Sequence, residues 1–262
     1  MLVFLTRVSE QILPQSEVYN NKMATWLVHL RIAENLLQLV PELISAPFTA
    51  GNIAPDSGIP DEKWENFNPP AQVTHFQVMR DGWNHSADLD FHRRYLLPLL
   101  GGEDMETISF RLGYFCHLVT DNLWGIKIGK PTMDRWAEQF SAEKDFIWEV
   151  KKDWYGLDFL YLYDHPDCIF QRLFLTIQAE TGGLDFLPLE AVKQRIEYIQ
   201  QLYQHNDDDS RKKNQREYIY LSAAEMNSFV DETTQRLFCI YQKVWVEGCD
   251  TGNSLSALDL IE

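Results

Sequence analysis

METISFRLGYFCHLVTDNLWGI, residues 105–126, reads as one long and largely apolar helix. Residues four apart lie above one another on a helix face, so His117 and Asp121 point at the same place. Gly113, one turn earlier on that face, leaves room for something to approach closely. Three meanings are open for the pair: a metal site, a private hydrogen bond, or coincidence.

The same helical spacing recurs on both sides of this segment. From Trp26 to Val40, apolar Trp26, Leu30, Ala33, Leu36 and Leu37 share a face, Thr25 stands at the N-cap, and His29 falls beside Trp26 and Ala33. Further helices are predicted around Leu89 to Leu99, Met133 to Lys152, Cys168 to Gln178, Leu189 to Tyr203 and Ser222 to Val246. In the Met133 to Lys152 segment, Trp136, Phe140, Ile147 and Trp148 form the apolar side. PFTAGNIAPDSGIPDEKWENFNPPAQ (47–72) reads as a long structured loop, and HNDDDSRKKNQRE (205–217) as an exposed connection. Strand alternation is scarce. The expectation is an all-α, multi-helical single domain over residues 23–262, preceded by an N-terminal extension over 1–22.

Composition narrows the function classes. With 45% hydrophobic and 24% charged residues over 262 positions, the chain suits a globular protein with a substantial core. Its 39 acidic against 23 basic residues give a net charge of −16, which disfavours a duplex nucleic-acid partner. The charge says little about a small substrate, because a bound metal reverses the local field. Cys116, Cys168, Cys239 and Cys249 show no CxxC spacing, so neither a disulfide framework nor a thiolate zinc site is expected. No apolar run reaches the length of a transmembrane segment, and MLVFLTRVSE lacks the basic region of a signal peptide. A reducing, cytoplasmic location is the corresponding expectation.

His29, Asp56, His75, His117 and Asp121 are the candidate metal ligands. Asp56 sits in APDSG, between a proline that restricts the backbone and a glycine that permits a tight turn; His75 sits in VTHF. Three histidines and two carboxylates make a nitrogen-and-oxygen donor set suited to zinc, manganese or iron. Taken singly, each has an ordinary alternative: His29 as a core histidine, Asp56 as a turn-former, His75 as a backbone hydrogen-bonder, and HxxxD as chance.

Their order is more specific than any one of them. W-x-x-H, then G-N-I-A-P-D, then T-H-F, then G-x-x-x-H-x-x-x-D, running from Trp26 to Asp121, resembles the zinc-dependent phospholipase C family. That family shares its helical fold with the fungal single-strand nucleases. The resemblance implies that Asp56, His75, His117 and Asp121 surround one zinc, and that His29 binds a second with Asp121 bridging. It further implies that Asp56 acts as catalytic base toward a metal-activated water attacking phosphorus. The implied substrate is a small phosphoester or a phospholipid headgroup.

Two departures from the family pattern stand out. Its metal-binding tryptophan is the mature N-terminus, whereas Met23, Ala24 and Thr25 precede Trp26 here. Its third metal needs two further histidines and a glutamate downstream of HxxxD, but only His165 and His205 follow, at other spacings, and Lys127 stands near the first expected position. One or two metal ions are therefore expected, not three. His85, His92, Arg93 and Arg94 in HSADLDFHRRY are read as exposed side chains rather than ligands. An HD-type phosphohydrolase is disfavoured because no adjacent His-Asp pair occurs in that order. The competing reading is a non-catalytic, metal-stabilised helical binding protein.

Overall fold

The computed structural model describes residues 23–62, 66–80, 83–99, 101–102, 104–204 and 208–261. The expected extension over 1–22 lies outside the described residues. Helix accounts for 67% and strand for 5% of the structure, so the class is mainly α. In chain order, α1 (Trp26–Leu39) and α2 (Ser45–Gly51) lead through a 3-10 turn at Ala54–Asp56 to the paired strands β1 (Ile59–Pro60) and β2 (Phe67–Asn68). Then come α3 (Ala71–Thr74), strands β3 (Gln77–Arg80) and β4 (Trp83–Ser86), and α4 (Asp88–Phe91), which continues helically to Leu99. The long α5 (Met105–Trp124) is followed by α6 (Lys130–Arg135), α7 (Ala137–Ala142) and α8 (Phe146–Asp164). The chain ends with α9 (Ile169–Arg172), α10 (Leu189–Gln204), α11 (Asp208–Asn214) and α12 (Ala223–Tyr241).

α5 is the central element. Phe110, Leu112, Tyr114, Phe115, Leu118, Val119, Leu123 and Trp124 are all buried, and together they cover every side of the helix. A helix apolar all round has no solvent face and must be packed on all sides. α1, α2, α4, β4 and α12 surround it. The closest approach is the crossing of α2 over α5, where two glycines meet the opposing backbone. A Cβ on Gly51 would lie 2.0 Å from the Phe110 carbonyl oxygen, and one on Gly113 would lie 2.1 Å from that of Phe48. The space that Gly113 leaves is thus filled by a helix of the same chain.

Several local expectations are corrected by the tertiary structure. The first residues of the expected 47–72 loop are helical, because Pro47, Phe48 and Ala50 bury against α5. The single helix expected from Met133 to Lys152 is three helices, broken at Trp136 and again across Glu143 to Asp145. Residues 141–145 are all exposed, so no buried side chain carries the helix through the second break. Thr25 holds the N-cap position of α1 without capping it; its hydroxyl donates instead to buried Asp158, 2.9 Å away. β3 and β4 form an antiparallel pair in register Gln77↔Ser86 to Arg80↔Trp83 that strand alternation does not reveal. Ser222, by contrast, caps α12 through a reciprocal box with Glu225, at the start of the helix expected from Ser222.

Asp88 ties the end of the chain to this core. Fully buried, it accepts from Asn122 Nδ2 on α5 (2.9 Å), from Ser256 Oγ (2.7 Å) and from the Ala257 N–H (2.7 Å). Burial pushes its pKa up to about 7, against the pull of these donors. The folded value then exceeds the unfolded one of about 3.9, so the native state keeps this proton longer. Its contribution to stability is fully present below about pH 4 and is lost as pH rises through about 7. The melting temperature of Asp88→Asn is therefore expected to fall less steeply over that window than the wild type's. Parallel profiles in a pH series of thermal melts would exclude Asp88 as the source.

Candidate metal centre

Three segments far apart in sequence converge beside α5. The chain leaves α2 through Asn52 and the turn at Ala54–Asp56, which places Asp56 against the helix. His75 ends α3, where the next residue, Phe76, takes a left-handed backbone with φ of 50°. That conformation costs a non-glycine residue about 1–2 kcal/mol. The Phe76 ring offsets it by packing edge-on against Phe91, Tyr95 and Phe186, and the chain turns sharply into β3 with His75 facing inward. His29 comes from the buried face of α1, and its ring stacks on that of His117 at 3.9 Å and 7°.

All five predicted ligands are brought together. His117 Nε2 lies 3.3 Å from Asp121 Oδ2, 3.4 Å from His75 Nε2 and 3.9 Å from Asp56 Oδ1. His75 Nε2 lies 3.2 Å from Asp56 Oδ1 and 3.6 Å from Asp121 Oδ2. A tetrahedron with metal–ligand bonds of 2.0–2.1 Å has edges of about 3.3–3.4 Å, so the five distances bracket that value. His29 Nε2 stands at the far side, 3.3 Å from Asp121 Oδ1. The two carboxylate oxygens of Asp121 thus face two different histidine sets.

Four of the five candidate ligands are aimed by a partner on their outer side. His117 Nδ1 is 2.8 Å from the Asn52 carbonyl, which can only accept, so Nδ1 carries the proton and Nε2 keeps its lone pair for the centre. His75 Nδ1 meets the Thr74 hydroxyl at 3.0 Å, and the Thr74 carbonyl is itself held by the Tyr114 hydroxyl. Trp26 Nε1–H donates to Asp56 Oδ2 at 2.7 Å, and the Ala24 N–H donates to Asp121 Oδ1 at 3.2 Å. The inward oxygens, Asp56 Oδ1 and Asp121 Oδ2, are buried without a hydrogen-bond partner, as are both ring nitrogens of His29. Buried polar atoms are rarely left so, and the two orphaned oxygens, both within 4 Å of His75 and His117 Nε2, fit a cation.

The electrostatics agree. Burial raises the Asp56 and Asp121 pKa values, but the neighbouring histidines outweigh it and hold both well below the usual carboxylate range. His117 is lowered by burial and raised more by Asp121 and Asp56, so its net shift is upward. His29 goes down through burial and the charge of His117. Metal ligation requires neutral imidazoles; with both carboxylates ionised the set would then carry −2, which a divalent cation would cancel. His29, His117 and Asp121, or Asp56, His75 and His117, could each hold an ion. His117 has only one free nitrogen, so the two groups cannot use it for separate ions. Among the described residues, the His29 corner then retains too few donors for a closed second site.

Asp56 and His75 also wall a cleft of about 390 Å³, shared with Trp26, Phe67, Trp154 and Tyr155. His117 and Asp121 lie behind them, almost fully buried. Of the other residues singled out in sequence, His205 lies outside the described residues, and His92, Arg93 and Lys127 do not join. His92 is buried rather than exposed, against Phe115 and Trp245, and burial lowers its pKa to about 4. Arg93 binds Asp90 and the carbonyls of Gly252 and Ser254, and Lys127 pairs with Glu232. Sequence reasoning missed the partners Asn52, Thr74 and Ala24. Asn52 and Ala24 act through backbone atoms, which side-chain type does not signal. Among the described residues, no helix is long and apolar enough to cross a membrane. No protein-family model, curated protein or solved structure matches the chain.

Proposed function

We propose that this protein is a metal-dependent phosphoester hydrolase with a phospholipase C/nuclease-like helical fold. The observation that carries the reading is the inward tetrahedral set with one side, Asp56 and His75, opening on the cleft. Zinc suits the donor set best, with manganese or iron as alternatives, held by Asp56, His75, His117 and Asp121. Such an ion supplies Lewis acidity toward a phosphoryl oxygen and lowers the pKa of water.

The chain's own groups do the rest. Asp56, fixed through Oδ2 by Trp26, stands on the cleft side of the set, where a carboxylate held ionised can take the proton of attacking water. His75 and His117 are locked in orientation by Thr74 and Asn52, so the charge field of the site is preorganised. The aromatic walls exclude bulk water from one side of the substrate.

The test is hydrolysis of p-nitrophenyl phosphate and bis(p-nitrophenyl) phosphate by protein reconstituted with zinc, manganese or iron. Asp56→Asn, assayed at saturating metal because the carboxylate is also a candidate ligand, is expected to lose at least about 10²-fold in kcat. One observation favours a second reading: four protein atoms stand at tetrahedral distances, as in closed structural sites. Stoichiometric metal with no turnover of either ester would establish that reading instead.

A further inference from the structure

Arg195, on α10, lines the same cleft as Asp56 and His75. Its guanidinium lies 5.3 Å from the Trp26 ring centre and 5.9 Å from that of Tyr198, and these two rings pack edge-on at 5.7 Å. Among the described residues it has neither an ion pair nor a hydrogen bond. Arg93, Arg172, Arg211 and Arg216 each pair with an acid.

A cation–π contact uses no N–H donor, so it leaves the guanidinium N–H groups of Arg195 for a ligand. The indole beneath Arg195 is the one that donates to Asp56, so a single side chain separates this cation from the candidate metal centre. Lys151, almost fully buried, adds a second cationic residue to the cleft lining. A cationic headgroup would be repelled here, and a neutral one would leave the guanidinium edge unmatched.

We propose that Arg195 determines specificity by binding a second anionic group on the substrate, so that the preferred phosphoesters carry a carboxylate or further phosphate beyond the reacting phosphorus. This rests on the phosphoester reading above. Trp26 sets the spacing between the two anionic groups, and the aromatic walls accept the part of the substrate that joins them.

The test uses non-hydrolysable probes on the zinc-loaded protein, followed by calorimetric titration: phenylphosphonate, para-carboxyphenylphosphonate and para-phenylene bisphosphonate. Wild type is expected to bind at least one doubly anionic probe about tenfold or more tighter than phenylphosphonate. Which of the two gains tells carboxylate from phosphate recognition. Arg195→Gln should abolish the advantage, leave phenylphosphonate affinity unchanged and retain the zinc; Arg195→Lys should restore part of it. A merely structural Arg195 would weaken all three probes together, and that outcome overturns the inference. Equal affinity of the three for wild type overturns it alone, whereas failure of all three to bind overturns the phosphoester reading as well.

Discussion

His117→Ala is expected to leave the protein without stoichiometric metal. Its Nε2 atom touches three of the other ligands, and it belongs to both groups of side chains that could hold an ion. Loss of a supporting partner around a metal typically costs about 10–100-fold in affinity, and loss of this ligand should cost more. The variant also strands the Asn52 carbonyl and removes the group that most lowers the two carboxylate pKa values. Elemental analysis and competition with a chelator read the effect directly. His29→Ala is the internal control: it lies outside the tetrahedral set and should keep one ion per chain. Equal metal content in wild type and His117→Ala would remove the centre from this place. Complete loss in His29→Ala would move it to the His29–Asp121 corner.

The second large effect is expected far from any ligand. Gly113→Ala puts a methyl group 2.1 Å from the Phe48 carbonyl oxygen, so α2 or α5 must move by more than an ångström. Overpacking of a tight core costs about 1–3 kcal/mol, and a backbone obstacle on rigid helices places this change at the top of that range or beyond. Urea unfolding should show a lower midpoint with an unchanged slope. Gly51→Ala should behave alike, and the double variant should cost less than the sum, because both obstruct one crossing. α2 also carries Asn52, the acceptor that orients His117, so either variant should weaken metal binding by about 10–100-fold. A Gly113→Ala protein within about 0.5 kcal/mol of wild type would show that the crossing relaxes freely.

How much was legible follows the range of each signal. HxxxD on α5 could be read because helical spacing is local: four residues always return to the same face. The breaks at Trp136 and across residues 143–145 could not, because apolar spacing continues past them while burial stops. His92 looked exposed within a charged segment, yet it is buried by Phe115 and by Trp245, which lies more than a hundred residues away. Thr25 has the side chain of an N-cap but gives its hydroxyl to Asp158 of α8, a competitor invisible to local spacing.

From the sequence by itself came the mainly α class, the long apolar helix at its centre and the five residues able to ligate a metal. The first two follow from periodicity, a property of neighbours along the chain; the five residues were picked out by side-chain type and by the order of the short motifs that hold them. Only the tertiary structure decided that His29, Asp56, His75, His117 and Asp121 meet, and that four of their atoms stand at tetrahedral distances. It also decided that Asp121 faces two ways and that Arg195 shares the cleft. Ångström-scale spacing is set where helices cross, and at the α2–α5 crossing it depends on two glycines and on the backbone atoms they let approach.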